Sequence, residues 1–394
     1  MPYIRPMAND KYLQRGVSAD KEEVHAAVKD LYHGLYPKSF CKIYPDYLGG
    51  DDTMCNTMSS DGSGTKSILA YLYWKETGDI SVWQGIAQDA IVMNLDDLLC
   101  VGAMDNLLFT SVINRNKNNI PGEVISEIIK GSKLFFERMN DYGVHVHFLG
   151  GETADLGDIV RTVTVDASMT ARMKKSALIL TQNIQPGNVI VGLSSYGQAT
   201  YEDEYNSGIS SNGLTSARHD VLSKYYADKY PETFEPGIDK SLVYSGSKKV
   251  TDNLDGTPLN VGKALLSPTR TFAPVISKVL KELPGKVTGL INCTGGAHTK
   301  VLHYISNLRI VKTNLLPVAP LFSLIQSESN TDWKEMHKVF NLGTRLEVYT
   351  DEANAQAIID IARTFNVEAQ VIGHVEASDK NEVVVKGAYG EFVY

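Results

Sequence analysis

Apolar positions set out the frame of this chain before any single residue does. From about Ser81 to Ala103, Val82, Ile86, Ala90, Met93 and Leu98 recur at near-helical spacing and predict a long buried helix. A second helix is predicted over Gly122 to Tyr142, with Ile125, Ile128, Ile129, Phe136 and Met139 inward and Gly143 as its stop. Asp20 and Glu23 form a capping-box pattern ahead of Val24, Ala27, Val28 and Leu31, which predicts a helix from Asp20 to His33. Val144 to Leu149 reads as a strand, and Val163, Val165, Ala167 and Met169 alternate strictly, as a half-buried strand does. Beyond a pause at Arg172 to Ser176, Pro186-Gly187 introduces a strand from Val189 to Leu193. Further helices are expected after Asn212, over 271 to 283, after Gly296 and over Asp351 to Phe365. Further strands are expected at 287 to 293, Arg345 to Tyr349, 369 to 374 and 382 to 386. Helices interleaved with strands imply layered α+β or α/β packing, divided near residue 171 into units of 1–171 and 172–394. The tyrosine- and Gly-rich stretch 225 to 262 is expected to run over the surface.

Composition narrows the class. Apolar residues at 43% and charged residues at 21% are ordinary for a folded globular chain. A formal charge of −8 supplies no net basic field, so no nucleic-acid or membrane partner is expected and any bound polyanion must be held locally. No stretch approaches a membrane span, and the four cysteines include no C-x-x-C pair; reduced thiols in the cytoplasm are expected.

Chemistry concentrates where glycines punctuate the pattern. Asp61-Gly-Ser-Gly-Thr-Lys66 offers flexible backbone, a hydroxyl and a cation. It reads either as a phosphate cradle or as a tight turn with an exposed lysine. Asp89 and Asp96 stand two helical turns apart and project in nearly the same direction, with Asp97 beside them. On an apolar helix such acids need a cation, a lysine or water; hard carboxylates without His or Cys suit Mg²⁺. Gly150-Gly-Glu-Thr153 falls where the predicted strand ends, so Glu152 is either a metal ligand or an incidental turn acid. Ser211-Asn-Gly213, Ser267-Pro-Thr-Arg270 and Thr294-Gly-Gly296 each precede a predicted helix, where free N–H groups suit an anion, although Ser and Asn there are also plain caps.

In this order, with Leu-Asp-Asp-Leu98 in its place, the six motifs resemble the AIR synthetase family, the phosphoribosylformylglycinamidine cyclo-ligases, over roughly residues 48 to 375. Similar proteins include thiamine-monophosphate kinase, selenophosphate synthetase and hydrogenase-maturation proteins. The resemblance implies a two-domain fold, an N-terminal sheet domain that pairs through its sheet in a homodimer and a C-terminal α/β domain. It implies ATP, Mg²⁺ and a sugar-phosphate substrate, with a monovalent cation as an option. Lys66, Asp97 and Glu152 would be catalytic. Asp61, Gly62, Gly64, Thr65, Lys66, Asp89, Gly150, Gly151 and Thr153 would serve ATP, and Asp52, Asp61, Asp97 and Glu152 the metal. Ser211, Asn212, Gly213, Thr269, Arg270, Thr294, Gly295 and Gly296 would hold the substrate.

Four departures stand against the pattern. Gly49-Gly-Asp-Asp52 replaces Gly-Gly-Phe-Gly and is closer to the kinase-like relatives; Asn292-Cys293 replaces His-Leu; Asn341-Leu-Gly-Thr-Arg-Leu346 replaces Asn-x-Gly-x-Gly-Met; and the link 196 to 210 is longer than usual. A kinase-like enzyme acting on another small molecule, or a non-catalytic nucleotide-binding paralogue, are the alternatives.

Overall fold

The computed structural model describes residues 14–16, 27, 28 and 30–394. The helix expected from Asp20 lies largely outside the described residues.

The first sheet has five strands: β1 (Ile43–Pro45), β2 (Met54–Gly62), β3 (Leu107–Arg115), β4 (Val146–Asp155) and β5 (Val163–Lys174), in the order β1-β2-β5-β3-β4. Its alternating pattern buries one face, with Val163, Val165, Ala167, Met169 and Ala171 pointing inward from β5. Against that face lie α1 (Lys66–Thr77) and α2 (Val82–Leu99), and α3 (Gly122–Asn140) packs on α2. The open face carries Met58, Leu108 and Val112, 57%, 40% and 40% exposed, which is too apolar to be a simple solvent face. β4 runs on to Asp155 instead of ending at Leu149, so Gly150-Gly-Glu-Thr153 lies within an edge strand and not in a loop beyond it. The cause is a register shift opposite Phe109 to Ser111, where Gly150 takes a φ of +94° and the pairing then resumes.

The second sheet orders as β14-β13-β10-β12-β6-β11-β9. Its strands are β6 (Val189–Ser194), β9 (Val287–Asn292), β10 (Leu308–Lys312), β11 (Thr344–Thr350), β12 (Ala369–Ala377), β13 (Glu382–Gly387) and β14 (Gly390–Val393). A two-stranded ribbon, β7 (Tyr196–Gly197) with β8 (Asn206–Ser207), occupies the long link. The helices are α4 (Leu214–Val221), α5 (Tyr225–Lys229), α6 (Val261–Leu266), α7 (Ala273–Glu282), α8 (Pro320–Ser329), α9 (Trp333–Val339) and α10 (Glu352–Thr364). After Gly296 the chain makes a 3₁₀ helix, Ala297–His303, in place of the expected α-helix. The stretch 225 to 262 is not a surface excursion: Tyr226, Tyr230, Val243, Tyr244, Val250 and Val261 are buried. Tyr226, Tyr230 and Tyr244 bury their rings and turn their hydroxyls to partners, as Tyr244 does to Thr233 at 2.9 Å.

Candidate functional site

The acids of α2 go first to holding the domains together. Asp89 Oδ1 accepts from Lys66 Nζ (2.8 Å), Thr269 N (2.8 Å) and Thr269 Oγ1 (2.6 Å). Two turns on, Asp96 accepts from Thr271 Oγ1 (2.6 Å) and pairs with Arg345 Nη2 (2.5 Å). All four charged groups are buried. Burial pushes the Asp96 carboxyl up, against the pull of Arg345, and pulls the Lys66 ammonium down, against Asp89. The need for a cation at this acidic pair is therefore met by Lys66 and Arg345.

This arrangement corrects two expected roles. Lys66 does not extend from an exposed turn toward a phosphate: its ammonium is buried on Asp89 and the Ser267 carbonyl (2.6 Å). Arg270 is not an open phosphate clamp. Its Nε and Nη2 fork onto Glu202 (3.0 and 2.5 Å), Nη1 donates to the Ser194 and Tyr196 carbonyls, and Nη2 also reaches Gly197 O. With five N–H donors on a guanidinium, this network leaves the buried side chain none to offer a ligand. The long link explains itself here, because it supplies Glu202. It also supplies Tyr201, whose ring packs between Tyr142 and Phe365.

The metal set is not gathered. Asp52, Asp61 and Glu152 are exposed, Asp97 is half-buried, and among the described residues no three His, Cys, Asp or Glu groups could hold a metal ion. Glu152 lies on the open face of the first sheet, in register across β3 and β5 with Val112 and Asp166. Asp166 escaped the sequence reading because it sits in a plain alternating strand; Gly62 opposite it leaves no room for a side chain, since a Cβ there would lie 2.7 Å from the Val165 carbonyl oxygen.

Other expected residues do converge. Thr65 Oγ1 meets Thr215 Oγ1 at 2.8 Å, so the 61–66 loop touches the helix opened by Ser211-Asn-Gly213. Gly64, at φ +56°, has open space on its Cβ side. Asn212 Nδ2 lies 3.5 Å from where a Gly295 Cβ would be, which joins that turn to Thr294-Gly-Gly296. The Ser211 hydroxyl is buried with no hydrogen-bond partner, an orphan that suits a ligand oxygen. Asp97 Oδ1 accepts from Asn292 Nδ2 (2.9 Å), and Asn292 Oδ1 accepts from Arg345 Nη1 (2.9 Å). Two of the four departures, Asn292 and Arg345, thus touch each other and belong to one network.

Two sheet domains, joined through a helix of acids and bringing the Gly-rich turns at 61–66 and 294–296 to the helix opened by Ser211-Asn-Gly213, define an architecture for binding a phosphorylated small molecule. The chain belongs to the AIR synthase related protein family: residues 47–173 match its N-terminal domain and 242–386 its C-terminal domain. It is 30% identical over 332 residues to a protein of Methanocaldococcus jannaschii named phosphoribosylformylglycinamidine cyclo-ligase, covering 84% of this chain and 81% of that one. A protein of the same name from Staphylococcus carnosus is 26% identical over 333 residues, 83% of this chain and 82% of that one. Solved structures share the fold at low identity. One is the HypE–HypF complex (TM-score 0.56, 16% identity, 94% of this chain and 98% of that one), and another is AaThiL complexed with AMPPCP and TMP (0.54, 10%, 95% and 96%).

Proposed function

We propose that this protein is an ATP-dependent phosphoribosylformylglycinamidine cyclo-ligase of purine biosynthesis, an EC 6.3.3.1 ligase acting as a homodimer in the cytoplasm. The observation that carries the reading is the 30% identity to the M. jannaschii cyclo-ligase across both domains. In the reaction the formyl amide oxygen of formylglycinamidine ribonucleotide takes the γ-phosphoryl group of ATP, an internal nitrogen attacks that carbon, and ring closure releases phosphate, leaving aminoimidazole ribonucleotide and ADP. The chain's own part is positioning and charge neutralisation. Ser211, Asn212 and Thr294 to Gly296 orient the sugar phosphate with hydroxyl, amide and backbone donors. Gly64 and Thr65 approach from the other domain, on the ATP side. Asp97, held by Asn292, keeps a fixed carboxylate beside the cleft.

Mg²⁺ would accompany the ATP phosphates. The four carboxylates expected for it form no site within one chain's described residues, so no step is assigned to it. The apolar open face with Met58, Leu108 and Val112 supports pairing of two chains through their first sheets. Four buried free thiols suit a reducing compartment. The kinase-like alternative rests on Asp51-Asp52: Asp51 Oδ1 accepts from Thr53 N (2.8 Å) and Thr53 Oγ1 (2.7 Å) in a local turn while Asp52 stays exposed, and the identity across both domains favours the cyclo-ligase.

The test is ADP release from ATP and Mg²⁺ with formylglycinamidine ribonucleotide, alongside growth of a purine-requiring strain. Stimulation and rescue are expected; an ADP rate no higher than the ATP-only control would sink the assignment.

A further inference from the structure

A phosphate monoester bound to a chain of charge −8 needs a local cation, and Arg270, expected to supply it, is spent inside the protein, as is Lys66, expected on the ATP side. Lys66 is closed on Asp89, and Arg270 on Glu202 and three carbonyls. Lys300 is placed differently. It stands in the 3₁₀ helix that follows Thr294-Gly-Gly296, half-buried, and its Nζ donates to Thr294 Oγ1 at 2.5 Å. Its stem passes the Phe40 ring, with Nζ 4.7 Å from the centroid, which limits the directions the ammonium can take. No carboxylate of a described residue lies within ion-pair distance of it, and among the described residues its close contacts are a neutral hydroxyl and a ring.

The fold has reason to put it there. Gly296 at φ +88° and Ala297 at φ +43° are consecutive left-handed residues, and they turn the chain tightly enough that a Cβ on Gly296 would lie 3.4 Å from the Lys300 Cα. The same turn faces Asn212 across Gly295. An ammonium, a threonine hydroxyl and a glycine backbone on one side thus meet the Ser-Asn-Gly turn with its orphan Ser211 hydroxyl on the other. This set of donors fits a tetrahedral dianion.

We propose that Lys300 is the residue that neutralises the phosphate monoester of the substrate at the Thr294-Gly-Gly296 turn, the role for which Arg270 has no free donor. The inference deepens the cyclo-ligase reading and rests on its sugar-phosphate substrate class, but it can be tested apart from turnover.

The probe is ribose 5-phosphate, with ribose as the uncharged control, titrated calorimetrically into the intact protein and into Lys300→Gln and Lys300→Arg. The parent is expected to bind ribose 5-phosphate and not ribose. Lys300→Gln should bind it about 10- to 100-fold more weakly, the range of one charge-assisted hydrogen bond, with an unchanged melting temperature. Lys300→Arg should recover most of the affinity. In turnover, Lys300→Gln should raise KM for the ribonucleotide far more than it lowers kcat. Equal affinity of parent and Lys300→Gln, or a parent that does not prefer the phosphorylated sugar, would overturn the proposal. A Lys300-dependent ribose 5-phosphate site in a protein without cyclo-ligase turnover would leave it standing and reject the reaction instead.

Discussion

At the scale of residues, the buried charges are where substitution separates assembly from chemistry. Removing Lys66 leaves Asp89 charged and unpaired in the interior, so Lys66→Ala is expected to lower stability by about 3–5 kcal/mol, read by urea unfolding. A loss of ATP affinity at unchanged stability would show that the ammonium serves the ligand after all. Histidine gives a second handle. His219 is pulled down to about 2 by burial and by Arg218, Arg15 and Lys224, and burial with Lys312 and His337 holds His298 well below its ordinary range. Both stay neutral in the folded state while the unfolded chain protonates them below its pKa of about 6.5. Their depressed values contribute stability that is present above that point and lost as the pH falls below it. The expected slope between pH 6 and 5 is about 1.4 kcal/mol per pH unit for each histidine, and His219→Gln should remove one histidine's share from urea titrations at the two pH values. The legibility of such residues was uneven. The acidic pair of α2 announced its need for a cation in the sequence, because two acids two turns apart on an apolar helix have few other solutions. That Lys66 and Arg345 would meet the need was invisible, since these cations arrive from 23 and 249 positions away.

At the scale of elements, the glycines of β4 show what a motif can and cannot say. Gly150-Gly-Glu-Thr153 was legible as something irregular, but its place was not, because a bulge within a strand and a turn beyond it ask for the same residues. The structural demand on Gly151 is severe: a Cβ there would lie 1.8 Å from the Ser111 carbonyl oxygen. Gly151→Ala is expected to pry β4 from β3, lowering stability by about 1–3 kcal/mol and speeding amide exchange along Val146–Asp155 ahead of the rest of the sheet. Uniform exchange across all five strands would locate the strain elsewhere. Helices α2 and α3 and strands β6, β9 and β11 were readable from periodicity within a few residues. The 225 to 262 stretch was not, because tyrosine and glycine in a segment without a period look like surface until the hydroxyl partners are known.

At the scale of the whole molecule, the interface between domains decides how the chain unfolds. Trp83 lies in the first domain and Trp333 in the second, while Asp89 and Asp96 carry the contacts between them. A single urea transition is expected from fluorescence of Trp83-only and Trp333-only variants. Asp96→Asn, which unpairs Arg345, should separate the two; transitions still coincident in that variant would mean that other contacts carry the coupling. The two-domain frame was legible from the order of the motifs. The residues that lock the frame were not, because the segment 267–272 looked like a ligand loop and proved to be a seam.

That seam ties heredity to mechanics. Asn292 touches Asp97 on one side and Arg345 on the other, and Arg345 reaches both Asp96 and the carbonyl of Arg270. A change that retunes the cleft at any one of these positions also loosens the joint between domains. Routes by which such a protein acquires a new substrate are therefore epistatic: substitutions at 292 and 345 should be tolerated together and rejected singly, which a pairwise library over those two positions would display directly.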